Sequence, residues 1–351
     1  MNPRFGAVFT ALAAAALFGA ATPIAKALVG AMSPFMVAGL LYLGSGLGLG
    51  MGIIGRQLGR SETNGVQRIR KRELPWLMGA IAAGGVAGPA LLMLGLASTP
   101  AATTSLLLNL EGVLTAVIAW VVFRENVDVQ VFLGMVAIVA GGVVLSWQPG
   151  QSAVPPGALL IAGACLCWAI DNNLTRKVST NDAMVIACLK GLIAGPVNLA
   201  IAFATGTSLP GPGSLVAAML TGLAGYGVSL VLFVVALRHL GTARTGAYFS
   251  VAPLFGVTLS LLIWPELPQV SFWIAAALMV LGIWLHVRER HEHEHTHVPL
   301  EHTHRHRHDE HHQHEHDFPY DGVEPHTHAH THRPVTHSHA HFPDIHHRHT
   351  H

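Results

Sequence analysis

Long apolar runs separated by short polar segments occupy the first 287 residues of the chain. Each run is about 20 residues long, which at 1.5 Å per residue matches the hydrocarbon core of a bilayer. The pattern therefore predicts ten transmembrane helices. We expect them at 5–28, 34–54, 74–97, 101–123, 129–147, 156–175, 183–204, 214–237, 243–264 and 268–287.

The first run could be mistaken for a secretory signal, because it is rich in alanine and follows Arg4. It is longer than a typical signal core, and Lys26 lies where a cleavage region would be. Further apolar runs follow at close spacing. We interpret it as a retained first helix.

An internal repeat organises these runs. The segment 97–125 recurs 141 residues later as 238–266, and the register continues to Gly141 and Gly282. A weaker match relates 33–43 to 181–191. The duplication predicts two five-helix units. Because five is odd, the second unit crosses the membrane upside down relative to the first, which is typical of alternating-access transporters.

Composition supports a membrane protein and separates the body from a tail. The chain is 51% hydrophobic and only 11% charged, far from soluble usage. Residues 1–290 carry a formal charge of +7, whereas the last 61 residues carry −6 and hold 23 of the 25 histidines. The three cysteines lie inside apolar runs and indicate no disulfide framework.

Loop charges predict the orientation. The segment 56–73 holds six basic residues, and basic residues also occur in the loops after the fourth, sixth and eighth runs and after the tenth. The loops 98–100, 148–155 and 205–213 hold none. By the positive-inside tendency, both termini are cytoplasmic. We therefore expect a multi-pass protein of the bacterial plasma (inner) membrane.

The repeated motifs also carry a resemblance to a known family. The run LEGVLTAVIAWVVFRE ends at Glu125, its copy VAPLFGVTLSLLIWPE ends at Glu266, and a glycine follows in the next helix of each unit. These motifs resemble the ten-helix EamA-type branch of the drug/metabolite transporter superfamily. The chain departs from the pattern in having Gly112 where many members have proline, and Tyr42 where many have arginine. The resemblance implies secondary transport, usually export, with no ATP site and no enzyme activity.

The expected fold class is an all-α integral membrane protein, with ten transmembrane helices in two inverted five-helix repeats and a disordered C-terminal tail. The first five-helix repeat is expected at 1–147, the second at 156–287 and the histidine-rich tail at 288–351.

Charged residues inside the bilayer are candidates for function, because each is costly unless it is paired or hydrated. The candidates are Glu111, Lys190 and Asp171. We expect Glu111 and Lys190, from opposite repeats, to pair across a central cavity where a substrate or proton competes for one partner. The alternative is a structural ion pair that fixes helix packing.

Polar residues on the same runs are further candidates for lining a substrate cavity, although such residues also hold membrane helices together. They are Asn109, Asn172, Tyr226 and Ser250. Glu125 and Glu266, at helix ends, are expected to be structural.

The tail alternates histidine with polar residues, which brings many imidazoles within reach of one ion on a flexible chain. It predicts binding of divalent Ni, Co, Zn or Cu without a fixed site, and no other cofactor. The alternatives are a proton buffer or a spacer. The candidate ligands are His291, His293, His295, His297, His302, His304, His306, His308, His326, His328, His330 and His332.

These observations favour an exporter of a small solute whose tail binds metal and links transport to metal homeostasis. The substrate is either a transition-metal ion or an organic metabolite such as an amino acid, in which case the tail only buffers metal. A membrane-anchored metal store or sensor is the weaker alternative. The expected partners are the lipid bilayer and a small solute, with no nucleic acid and with a homodimer left open.

Overall fold

The structure is a computed structural model that describes residues 3–58, 70–123, 129–147, 154–178, 182–240, 248–265 and 267–287 of the body. In the tail it describes 292–296, 301–306, 326–331 and 336–340. The chain divides into two units, Met1–Glu289 and Arg290–His351. Glu125 and Glu266 lie outside the described residues. Their expected structural role at the helix ends therefore stays a prediction.

The described part of the body is helical throughout. Helices α1 and α2 are Pro3–Val29 and Pro34–Leu58. Helix α3 joins Leu74–Ala80, a π-helical turn at Ile81–Ala87 and Gly88–Ser98, and α4 joins Ala101–Leu107 to Leu110–Phe123. Then follow α5 at Val129–Ser146, α6 at Pro156–Thr175, a 3₁₀ turn at Arg176–Val178, and α7 at Ala183–Ala204. Helix α8 joins Pro212–Gly222, a π-helical turn at Leu223–Val228 and Ser229–Leu240, and α9 and α10 are Ala252–Ile263 and Val270–Val287.

Eight of these helices are long and apolar enough to cross a bilayer, and they correspond to the first eight predicted runs. In the described residues, the last two runs form the shorter apolar helices Ala252–Ile263 and Val270–Leu285. Large apolar side chains cover the outside of the body, among them Phe9, Met51 and Leu262. Because lipid can solvate this surface, the protein is a multi-pass membrane protein.

The body has two halves, α1–α5 and α6–α10, and most of the packing is between helices of different halves. Helix α1 packs on α8 and α9, and α6 packs on the equivalent α3 and α4 of the other half. Helix α2 packs along α7, and α5 along α10. Helices α1 to α5 thus correspond in order to α6 to α10. Each of these contacts between helices has an equivalent between the corresponding helices.

Glycines bring the matched helices together. A Cβ on Gly46 would lie 2.6 Å from the backbone nitrogen of Leu192, and one on Gly191 would lie 2.6 Å from Gly46 Cα. Between α5 and α10 the contact is reciprocal, because Gly141 meets Met279 and Gly282 meets Ile138. Lipid offers no hydrophobic drive for helix association, so this backbone contact supplies the packing. Gly44 of α2 likewise lies against the backbone of Met219 on α8.

Both halves interrupt their helices at matching places. The π-helical turns lie in the third helix of each half. The fourth helix breaks at residues 108–109 in the first half and at 250–251 in the second. In the first break, Asn109 Nδ2 donates to Leu106 O at 2.9 Å and so competes with the regular helix ladder.

The largest hydrophobic core lies toward one end of the body, which we term the packed end. It holds the connections 30–33 and 205–211, which are joined by a hydrogen bond of 3.2 Å from Thr207 to Ser33. It also holds 99–100 and 154–155, since Gly157 lies against the side chains of Ser98 and Thr99. Lys26 Nζ also donates there to Leu96 O, near the end of α3. The core includes Leu28, Met36, Leu41 and Leu96. The clusters toward the opposite end are smaller.

The tail contains four short strands, β1 Glu292–Thr296, β2 Glu301–His306, β3 His326–Thr331 and β4 Thr336–Ala340. Strand β1 pairs with β4 and β2 with β3, both antiparallel. Histidine alternates with another residue in these strands, which matches the period of two of a strand and puts the histidines of each strand on one face. Disorder of the rest of the tail stays an expectation. The pairing sets His302 opposite His330 and His304 opposite His328.

The glycine contact between α2 and α7 generates a stability prediction. Gly191→Leu should lower the free energy of unfolding by about 1 to 3 kcal/mol, because the new side chain has no space against the α2 backbone. The control is Gly55→Leu, since a Cβ at Gly55 meets nothing within 4 Å. Thermal unfolding in detergent measures both, and equal melting temperatures would contradict the packing role.

Candidate functional site

Three side chains from α6 and α7 form a closed polar triangle. Lys190 Nζ lies 2.5 Å from Asp171 Oδ1 and donates to Thr175 Oγ1 at 2.9 Å. Thr175 Oγ1 in turn donates to Asp171 Oδ1 at 2.8 Å. The side chains of Lys190 and Asp171 are 16% and 10% exposed, so this ion pair is largely removed from solvent. Mutual neutralisation lowers the cost of holding both charges within the membrane span.

The predicted pair between Glu111 and Lys190 is wrong. Glu111 Oε1 instead accepts a hydrogen bond of 2.9 Å from Asn172 Nδ2, and the same amide lies 3.3 Å from Thr115 Oγ1. Asp171 lies on α6 and Lys190 on α7, whereas Glu111 lies on α4. Sequence position alone did not reveal which acid the lysine reaches.

The π-helical turn of α3 lies directly against this cluster. Gly84 O accepts hydrogen bonds from Tyr42 OH at 2.7 Å and from Trp168 Nε1 at 2.9 Å. The next carbonyl, that of Gly85, accepts from Asn198 Nδ2 at 3.2 Å. Because a π-helical turn disturbs the regular ladder of the helix, these side chains supply donors for its carbonyls.

Gly84 also has a steric role. A Cβ at this position would collide with the Asp171 carboxylate. Glycine therefore lets the α3 backbone approach the charged residues of α6.

Aromatic rings extend the cluster toward α1 and α8. The Tyr42 and Tyr226 rings lie 5.5 Å apart, and the Tyr226 ring lies 5.9 Å from Phe18. Phe18 also contacts Phe249, at 5.5 Å. Tyr42, Tyr226 and Phe18 are each partly exposed, as are Glu111 and Lys190, and Asn172 is exposed. Side chains from both halves thus surround one partly accessible polar and aromatic region.

Some predicted site residues lie elsewhere. Asn109 is buried in the break of α4, where its amide contacts Leu106 O and, at 3.8 Å, the sulfur of Met279 on α10. Ser250 lies in the equivalent turn before α9. The structure therefore brings together Glu111, Asp171, Asn172, Lys190 and Tyr226, and leaves Asn109 and Ser250 at the helix breaks.

Of the twelve candidate histidines in the tail, the structure describes only the strand positions of eight. His291, His297, His308 and His332 lie outside the described residues. Within the described part of the chain, no three His, Cys, Asp or Glu side chains are grouped as a metal site.

The sequence interpretation missed Trp168, Asn198 and Phe18 as site residues, and treated Tyr42 only as a departure from a family pattern. A signal for the π-helical turns was present in the glycine clusters AAGGVAG at 82–88 and GLAGYG at 222–227. Both clusters lie inside apolar runs, where glycine in a helix often has a packing or functional reason.

The comparison with known families decides the class of protein. The model of the EamA-like transporter family matches residues 5–147 and, a second time, residues 155–288. The chain belongs to the EamA-like transporter family. The resemblance to the drug/metabolite transporter superfamily is thereby confirmed, and this EamA-like protein is assigned to membrane transport of small solutes.

Individual relatives agree with this assignment. An uncharacterized transporter of Methanothermobacter thermautotrophicus (strain ATCC 29096 / DSM 1053 / JCM 10044 / NBRC 100330 / Delta H) is 25% identical over 300 residues, covering 80% of this chain and 86% of the relative. A solved crystal structure, titled only as that of a protein, superposes with a TM-score of 0.59. It is 18% identical and covers 80% of this chain and 95% of its own, so it supports the fold alone.

The Lys190–Asp171 ion pair generates a prediction about coupling. Lys190→Met and Asp171→Asn should each destabilise the protein, whereas the double variant should be more stable than the sum of the singles by about 1 to 3 kcal/mol. The reason is that each single variant leaves a charge or a polar group without its partner inside the span. Unfolding in detergent measures the cycle.

The control cycle combines Lys190→Met with Glu111→Gln, which should be close to additive because Glu111 bonds to Asn172 instead. Additivity in the first cycle, or strong coupling in the control, would contradict the described pairing.

Proposed function

We propose that this EamA-like protein is a secondary transporter that exports a small organic solute by alternating access. The observation that carries the proposal is the partly accessible cluster of Glu111, Asn172, Lys190, Tyr42 and Tyr226, contributed by both halves beside interrupted helices. Broken helices that meet at a site between repeats are typical of secondary transporters.

The proposal includes ten membrane crossings in two inverted repeats. Support comes from the exchange of packing partners between the halves, and from the π-helical turns and helix breaks at matching positions. Five crossings per half make the second half inverted. The two short helices Ala252–Ile263 and Val270–Leu285 serve in this proposal as the ninth and tenth crossings.

We further propose that both termini are cytoplasmic and that the membrane is the bacterial inner membrane. The described basic residues Arg56, Arg70, Lys71 and Arg72 lie at the end opposite the packed end, where Arg56 also bonds to Asp182 at 3.0 Å. With this orientation the packed end is the outer one. The large outer core and the smaller inner clusters then correspond to an inward-facing state that admits solute from the cytoplasm.

An organic cargo is favoured by the aromatic rings beside the charged residues, since rings offer broad contact to carbon frameworks. A metal link is proposed for the tail alone, on its composition of alternating histidines. The store or sensor hypothesis requires none of the matched interruptions in the helices, so transport accounts for more of the observed features. Assembly as a homodimer stays an expectation.

Inside-out membrane vesicles test the transport proposal. Vesicles that contain the wild-type protein, incubated with a small-molecule extract of the host cell, should accumulate at least one organic solute that control vesicles do not. Mass spectrometry of washed vesicles measures the accumulation. Glu111→Gln should reduce it at least tenfold, because the carboxylate lies in the proposed path, while Glu73→Gln in the exposed loop before α3 should not.

Right-side-out vesicles loaded with the same extract test the direction of transport. If the protein is an exporter, these vesicles should lose that solute. If neither preparation moves any solute in a protein-dependent manner, the transport proposal fails.

The tail proposal predicts a pH-dependent loss of metal. Imidazole binds metal only when neutral, and an unperturbed histidine titrates near 6.5, so binding should be complete at about pH 7.5 and mostly lost by about pH 5. Equilibrium dialysis of the full-length protein with Ni, Co, Zn and Cu measures this release. A protein truncated after Glu289 is the control, and it should bind far less metal while keeping its transport.

Equal metal binding by the full-length and truncated proteins would remove the tail from metal homeostasis. Loss of transport on truncation, in metal-free buffer, would show that the tail is required for the body to function.

A further inference from the structure

The cluster described above has an excess of one negative charge. It contains two carboxylates, Glu111 and Asp171, and one ammonium group, that of Lys190. The ammonium group is paired with Asp171 and donates a hydrogen bond to Thr175. Among the described residues Glu111 has no basic partner, and its neighbour is the neutral amide of Asn172. We propose that the site recognises a protonated amine that carries an apolar or aromatic group, with Glu111 as its counter-ion. This inference rests on the transport function proposed above and names its substrate class.

The geometry of Glu111 suits this role. One carboxylate oxygen, Oε1, is held by Asn172 Nδ2 at 2.9 Å. The other, Oε2, has no protein partner among the described residues, and it is not among the fully buried atoms that lack a hydrogen bond. The amide therefore orients the carboxylate while leaving one oxygen accessible. An ammonium group donates hydrogen bonds to such an oxygen, and charge-assisted bonds of this kind are among the stronger ones in proteins.

Other charge classes fit less well. A carboxylate or phosphate solute would need a cation, but the nearby lysine already has two acceptors within 2.9 Å. A transition-metal ion favours several imidazole or thiolate ligands, whereas Glu111 has an amide and a hydroxyl beside it. A monovalent organic cation requires one carboxylate and a surface that tolerates the rest of the molecule.

The aromatic rings provide that surface. Tyr42 reaches the cluster through Gly84, which lies against the carboxylate of Asp171, the residue before Asn172. From Tyr42 the rings continue to Tyr226 and then to Phe18. The faces of such rings attract cations and pack against carbon chains. The Tyr42 hydroxyl is committed to Gly84 O, which fixes its ring in place. An amine bound at Glu111 can thus place its apolar part on three rings without rearranging the ion pair.

Three probes that share a phenylethyl group and differ in charge test the inference. They are 2-phenylethylamine, which is protonated at neutral pH, 2-phenylethanol, which is neutral, and 3-phenylpropanoate, which is anionic. Binding to the full-length protein in lipid nanodiscs is measured by calorimetry. The amine should bind at least tenfold more tightly than the alcohol, and the anion should bind more weakly still. This comparison uses only the wild-type protein and does not depend on how any variant folds.

Variants then locate the site. Glu111→Gln should weaken amine binding about ten- to a hundredfold, as expected when a hydrogen bond to a charged group is lost. Its effect on the alcohol should be small. Tyr226→Leu should weaken the binding of all three probes, because the ring is lost. Tyr226→Phe keeps the ring and should bind each probe with most of the wild-type affinity. The matched controls are Glu73→Gln and Phe9→Leu, the latter at a ring that is 73% exposed on the outside of the body.

Equal affinity for amine and alcohol, tighter binding of the anion, or unchanged amine affinity in Glu111→Gln would each overturn the inference. The vesicle experiment with a cell extract is separate, because it accepts any solute. A protein that exports a neutral or anionic compound but fails the amine test keeps its transport function and loses only the substrate class. Failure of both experiments would remove the transport proposal as well.

Discussion

The requirement that backbone polar groups find partners inside a bilayer governs this structure. In lipid an unsatisfied carbonyl or amide costs several kcal/mol, so a membrane helix is normally unbroken. This chain nevertheless interrupts α3, α4, α8 and α9. At the α3 interruption, the carbonyls of Gly84 and Gly85 receive donors from Tyr42, Trp168 and Asn198. The interruption therefore holds side chains of three other helices at one place, and that place adjoins the charged cluster.

A repeated scaffold here carries unequal chemistry. The backbone interruptions and glycine contacts occur in both halves, but the charges do not. Ala252 occupies the position equivalent to Glu111, and Tyr42 the position equivalent to Lys190. The packing and the helix interruptions are thus duplicated, whereas Glu111 and Lys190 have no charged equivalent in the other half. An uneven charge distribution gives the cluster its excess negative charge.

The packing at the two ends of the body fits a transport cycle. At the packed end, the core around Met36, Leu41 and Leu96 is continuous, and Lys26 adds a bond to the end of α3. Toward the other end the clusters are small, and Asn172 is exposed although it lies within an apolar run. Alternating access requires that these two degrees of packing exchange. Glycine contacts bring the backbones of α2 and α7 close together at the centre of this packing.

The sequence by itself determined the membrane class, the positions of the helices and the family, because these depend on hydrophobic length and on repeated motifs that are local along the chain. Eight predicted runs appear as long apolar helices, and the candidate residues Glu111, Asp171, Asn172, Lys190 and Tyr226 do lie together. Only the tertiary structure decided that Lys190 pairs with Asp171 and leaves Glu111 to Asn172. It also placed Tyr42, Trp168 and Asn198 on the π-helical turn, and Asn109 away from the cluster. These contacts depend on how each helix is rotated about its axis and on the depth of each residue in the membrane. A uniformly apolar run does not encode either quantity, because every face of such a helix is equally compatible with lipid.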